Sequence, residues 1–230
     1  FHVHWGATDD VGSEHTIDGA CSSAELHFVH YNCKYGSFQA AVDKSDGLAV
    51  FGVMIKIGDE HDGFKRITDA ARNVRLKGQS TKLSQTFHPD VLLPDDTRSY
   101  WTYMGSLTTP PLHESVTWIV FRTPIQISRE QIEALRSLHD GTNGGKRIVN
   151  NYRPPLPLGM RTIRCSYRTK TIVGDGQNQI KHESITENAA ESRLKHYDLY
   201  KTQNKTGNQW SSIAGTSLPL IKRKKSVFKF

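Results

Sequence analysis

The sequence predicts a mainly β fold with small peripheral helices. Short apolar runs of strand character outnumber the stretches with helical spacing. The longest of them, Leu48–Ile57 (LAVFGVMIKI), is rich in Val and Ile and closed by Gly58-Asp59, the pattern of a buried strand. The chain has 230 residues and is 36% hydrophobic, enough for one core without a second full domain.

The elements follow in order. Phe1–Gly6 and Ala24–Tyr31 read as strands, then Leu48–Ile57. Gly63–Lys77 carries Phe64, Ile67, Ala70, Ala71 and Val74 at helical spacing and stops at Gly78. Ser115–Phe121 (SVTWIVF) is a further strand. Ser128-Arg-Glu-Gln131 resembles a capping box and opens a helix through Leu138. Met160–Tyr167 alternates as a last strand. Near Thr169 the composition turns polar and rich in Asn, Gln and Ser. Residues 1–169 are therefore read as the folded domain. Residues 170–230 are read as a disordered, basic tail with one short helix over Ala189–Tyr200.

Net charge is +7, and the tail from Thr171 supplies +5 of it with ten Lys/Arg against five Asp/Glu. A basic run of this kind is ordinarily a solvated segment, so no nucleic-acid partner is expected. No run of about 20 apolar residues is present, so no membrane-spanning helix is expected. Cys21, Cys33 and Cys165 are odd in number and form no CxxC pair, which argues against a disulfide framework.

The chemistry-bearing residues are three histidines. His2 and His4 lie two apart in Phe1-His-Val-His-Trp-Gly6 and so share one strand face. His27 shares a face with Glu25 and Val29 in the second strand. If the strands pair, three imidazoles converge. Three neutral imidazoles around Zn²⁺ leave a fourth position open for water, the layout of a catalytic zinc. A cupin-type metal protein also uses His-x-His on a strand, but would need a Glu where Ala7 and Thr8 stand.

Four motifs extend the pattern: FHVHWG at Phe1, SEHTIDG at Ser13, AELHFVH at Ala24 and YWTYMGSLTTPPL at Tyr100. Together, and in this order, they resemble the α-class carbonic anhydrases over about 170 residues. The resemblance implies a large, mostly antiparallel twisted sheet. It implies zinc held by His2, His4 and His27, and reversible hydration of carbon dioxide to bicarbonate and a proton by hydroxide on that zinc. Glu25 would orient His27 and the Asn151 carbonyl would orient His4, with His15 hydrogen-bonded internally beside them. Thr108 and Glu14 would orient the attacking hydroxide. Val29, Val50, Leu107, Thr109, Val116 and Trp118 would form the substrate pocket, and sulfonamide-type inhibitors are expected. Leu112 stands where extracellular members often carry Cys, which points to a cytoplasmic member, with secretion left open. The resemblance begins inside the family's domain, after its N-terminal third and its proton-shuttling histidine. A catalytically silent binding module is therefore the alternative reading.

Overall fold

The computed structural model describes residues 1–83 and 87–167, together with the backbone of 210–212. Its strands are β1 (His2–Trp5), β2 (Ala24–Asn32), β3 (Leu48–Ile57), β4 (Tyr100–Gly105), β5 (Val116–Phe121), β6 (Ile125–Ile127), β7 (His139–Gly141), β8 (Gly144–Arg147), β9 (Arg164–Cys165) and β10 (Trp210–Ser212). The helices are α1 (Phe38–Ala41), α2 (Asp62–Ala71) and α3 (Arg129–Arg136). The main sheet runs β1-β2-β3-β5-β4-β9, with β6 added beside β3 and β10 beside β2. β3 is parallel to β5 and β6, and every other pairing is antiparallel.

Alternation along the strands sorts side chains onto two faces. On one face Trp5, Leu26, Phe28, Val53 and Ile55 pack with Phe64 and Ile67 of α2 and with Ile132 and Leu135 of α3. Phe64 is fully buried, and truncating such a ring to Ala costs about 3–5 kcal/mol. On the other face Leu48, Val50 and Met54 of β3 pack with Val116, Trp118 and Val120 of β5. His2, His4, Glu25, His27 and Val29 alternate with the first set and so belong to this second face.

Several boundaries differ from the sequence reading. α2 ends at Ala71 rather than Lys77, because Asn73 N–H and Val74 N–H bond back to Ala70 and Ala71 carbonyls in tight turns. The last strand shrinks to Arg164–Cys165. Gly159 takes φ 60° and Arg161 N–H closes a turn on Leu158, so residues 159–161 cannot extend. β4 is a full strand where the sequence reading saw only a motif, and the β7–β8 hairpin was not foreseen. The helix expected over Ala189–Tyr200 lies outside the described residues. So does the rest of the tail, apart from β10.

Candidate metal centre

β1 and β2 pair antiparallel with His2 opposite His27 and His4 opposite Glu25. This register places the three imidazoles together, with ring centroids 4.9 Å (His2–His4), 5.2 Å (His2–His27) and 4.7 Å (His4–His27) apart. One nitrogen from each ring lies within 4.8 Å of the other two.

Hydrogen bonds fix which nitrogen each ring offers. His4 Nδ1 donates to the Asn151 carbonyl at 2.9 Å, leaving His4 Nε2 buried with no partner. His27 Nε2 donates to Glu25 Oε1 at 2.8 Å, which turns Nδ1 toward the other rings. An unpartnered buried nitrogen is costly in a folded core unless something binds it. The arrangement fits Zn²⁺, which takes neutral imidazole nitrogens. The electrostatics favour that neutral form. Desolvation, then repulsion from His27, lowers the His4 pKa against the opposing pull of Glu14. Desolvation, then the His27 and His4 rings, push His2 down to about 2, although the residue as a whole is exposed.

Glu25 is wholly buried and fully bonded. Its Oε1 accepts from His27 Nε2 and from His15 Nδ1 (2.7 Å), and its Oε2 accepts from the Glu14 and His15 backbone N–H groups, both at 2.9 Å. Burial alone would raise this carboxyl. The facing His15 and His27 outweigh it and hold the pKa well below the usual carboxylate range. His15 moves the opposite way, raised by Glu25 against desolvation. Tyr103 completes the chain, its hydroxyl 2.6 Å from His15 Nε2. His15, Glu25 and His27 also form a compact trio of donors. Protons already sit between those atoms, so this second trio is a brace rather than a metal site.

The loop at residues 148–153 straps β1 from outside. Asn151 Oδ1 accepts from Trp5 N–H (2.7 Å), the Ile148 carbonyl accepts from Trp5 Nε1 (2.7 Å), and Asn150 Oδ1 accepts from Ala7 N–H (2.8 Å). Asn150 sits at φ 56°, a region Asn tolerates better than most residues. Glu14 Oε1 accepts from Arg153 N–H at 2.7 Å, while its Oε2 is buried without a hydrogen-bond partner, 3.9 Å from His27 Nδ1.

The remaining expected residues divide. Thr108 is half-buried in the loop after β4, and no hydrogen bond among the described residues joins its hydroxyl to Glu14. Thr109 is exposed. Val50, Val116 and Trp118 are nearly fully buried, with Val29 and Leu107 partly buried against them. Only those last two keep a surface of their own, so the other three form backing. Trp118 lies 4.8 Å, centroid to centroid, from both His27 and His15. The sequence reading missed three contributors: Tyr103, the Arg153 backbone, and Gly52. A Cβ on Gly52 would come within 3.0 Å of Glu25 Oε1, so the missing side chain makes room for the carboxylate. A glycine inside an apolar strand run was the available signal.

The chain belongs to the eukaryotic-type carbonic anhydrase family, whose pattern matches residues 1–167. It is 53% identical over 171 residues to carbonic anhydrase 7 of Homo sapiens, covering 73% of this chain and 64% of that protein. It is 47% identical over 171 residues to carbonic anhydrase 1 of Monodelphis domestica, with the same coverage of each chain. The chain thus spans about 64% of the length of these relatives. Among the described residues no helix is long and apolar enough to cross a membrane. The comparisons lend nothing to the alternative of a silent binding module.

Proposed function

We propose that this chain catalyses the zinc-dependent, reversible hydration of carbon dioxide to bicarbonate and a proton. The observation that carries the reading is the buried, unpartnered His4 Nε2 beside His27 Nδ1 and His2. His2, His4 and His27 would hold the metal. Bound there, zinc supplies Lewis acidity that brings the pKa of water from ~15.7 to about 7.

The chain's own residues do the rest. Glu25 and the Asn151 carbonyl each accept the far N–H of a histidine, which fixes tautomer and ring direction and raises ligand basicity. Glu14 keeps an open acceptor position on Oε2. In this reading Thr108 donates a hydrogen bond from its hydroxyl to that position. The Thr108 oxygen could then accept a hydrogen bond from the O–H of the attacking nucleophile and so orient it. Val29 and Leu107 offer a small apolar wall suited to carbon dioxide, with Thr109 at the mouth. A sulfonamide should compete for the same metal.

Two variants test this separately. His27→Ala should lose well over tenfold in zinc affinity, read by competition with a chromogenic chelator. Tight, stoichiometric zinc in that variant would end the assignment. Thr108→Ala should keep zinc and lose roughly 10²-fold in carbon dioxide hydration, about 2.7 kcal/mol. Unchanged stopped-flow turnover where hydration limits the rate would remove Thr108 from the scheme without touching the metal.

A further inference from the structure

Trp118 is almost wholly buried on β5, so its indole N–H needs a partner. It finds one outside its own strand. Nε1 donates to the Ser106 carbonyl at 3.1 Å, two residues before Thr108. The strand register makes this reach possible. Trp118 lies opposite Tyr103 and Val116 opposite Gly105, so the chain leaves β4 beside the indole. A Cβ on Gly105 would come within 2.8 Å of Trp118 Cδ1 and 3.2 Å of Nε1. Glycine at the end of β4 thus lets the indole come up against the backbone and reach Ser106.

The segment it holds has its own closure. Leu107 N–H bonds the His113 carbonyl at 2.9 Å, and Leu112 N–H bonds the Thr109 carbonyl at 3.0 Å, so residues 107–113 form a compact loop. Trp118 ties the entry to that loop. The same ring system also reaches the candidate metal centre, with centroids 4.8 Å from both His27 and His15. Packing with Val50, Val116 and Val120 holds the indole in place, and a Trp side chain has few torsions to lose. One rigid side chain therefore spans from the histidines to the loop bearing Thr108.

We propose that Trp118 is a positioning residue whose indole N–H sets the entry of the 106–109 loop and so places Thr108 relative to His27. This role rests on the reading of His27 and Thr108 given above. The ring supplies shape beside the histidines, and the N–H supplies the tie to the loop.

The test uses the full chain and Trp118→Phe, which keeps an aromatic ring beside His27 and removes the N–H. In the metal-free protein, Leu107 and Leu112 N–H should exchange at least about tenfold faster in the variant. Val53 and Ile55 N–H of β3 are the folding control and should not change. Gly105→Ala, which leaves Trp118 in place and crowds Nε1, is the second variant and should speed Leu107 exchange in the same way. With zinc, Trp118→Phe should keep its metal affinity within about twofold and lose about tenfold in kcat/KM for carbon dioxide hydration. In the Thr108→Ala background the same substitution should cost less than about twofold, because a residue acting through Thr108 has nothing left to place. A full loss in that background, a large fall in zinc affinity, or unchanged exchange at Leu107 would overturn the role. If Thr108→Ala alone leaves turnover intact, the reading of Thr108 fails, and exchange at Leu107 and Leu112 still decides whether Trp118 holds the loop.

Discussion

His30 is a residue whose cost can be read directly. It lies on the face opposite His27, buried against the Phe51 ring at 4.6 Å, with Nδ1 3.3 Å from the Ala49 carbonyl. Burial lowers its pKa from 6.5 to about 4. Between those values the unfolded chain binds a proton that the native chain refuses, so stability falls as pH drops from 6.5 to about 4 and then levels. Full protonation across that window amounts to about 3 kcal/mol. In His30→Gln, the denaturant-measured stability should show a shallower decline over the same pH range. An unchanged difference from pH 7 to pH 4 would contradict the assignment. At this scale the sequence was most legible for groups with strict chemical alternation. Spacing alone put His2 with His4, and Glu25 with His27, each pair on one face of its own strand, and the β1–β2 register then brings the two faces together. Tyr103 and the Arg153 N–H could not, because their partners come from distant loops that no local pattern predicts.

Elements with clear start signals were equally legible. Ser128 accepts from Gln131 N–H, and the Gln131 side chain accepts from Ser128 N–H, so the capping box foreseen from Ser128-Arg-Glu-Gln131 is formed at α3. The helix is anchored by Arg136, which donates to the Gly6 carbonyl at 2.9 Å and to Asp9 at 2.9 Å. Ser128→Ala should cost about 1 kcal/mol and lower Tm by roughly 2–4 °C. A thermal scan with no shift would mean the cap adds nothing. β3 was legible to the residue because ten apolar-rich positions end abruptly at Gly58. β9 was not, since a two-residue strand is defined by its neighbour Trp101–Thr102 rather than by its own sequence. α2 was overdrawn because Val74 continues the apolar spacing after the helix has already ended.

At the scale of the whole molecule, we propose that residues 1–169 are the folded domain and 170–230 a tail dispensable for metal binding. The family match ends at residue 167, beside that boundary. Limited proteolysis should cut first between residues 168 and 209 and leave zinc affinity unchanged. First cuts inside 1–167 would refute the division.

The strap over β1 carries a consequence for how the molecule is made. His4 and the Asn151 carbonyl that fixes its ring are 147 residues apart, and Glu14 is 139 from Arg153. At a ribosomal pace of about 5–20 residues per second, the imidazoles emerge roughly 7–30 s before their distant partners exist. Contacts of such separation also slow the closing of the fold. A nascent chain therefore displays a His-x-His chelate long before the pocket that would discriminate among metals is complete. If the proposed metal is bound, its selective loading would belong to the last moments of synthesis or after it, and the cell's free metal concentrations in that interval would bear on which ion is first encountered.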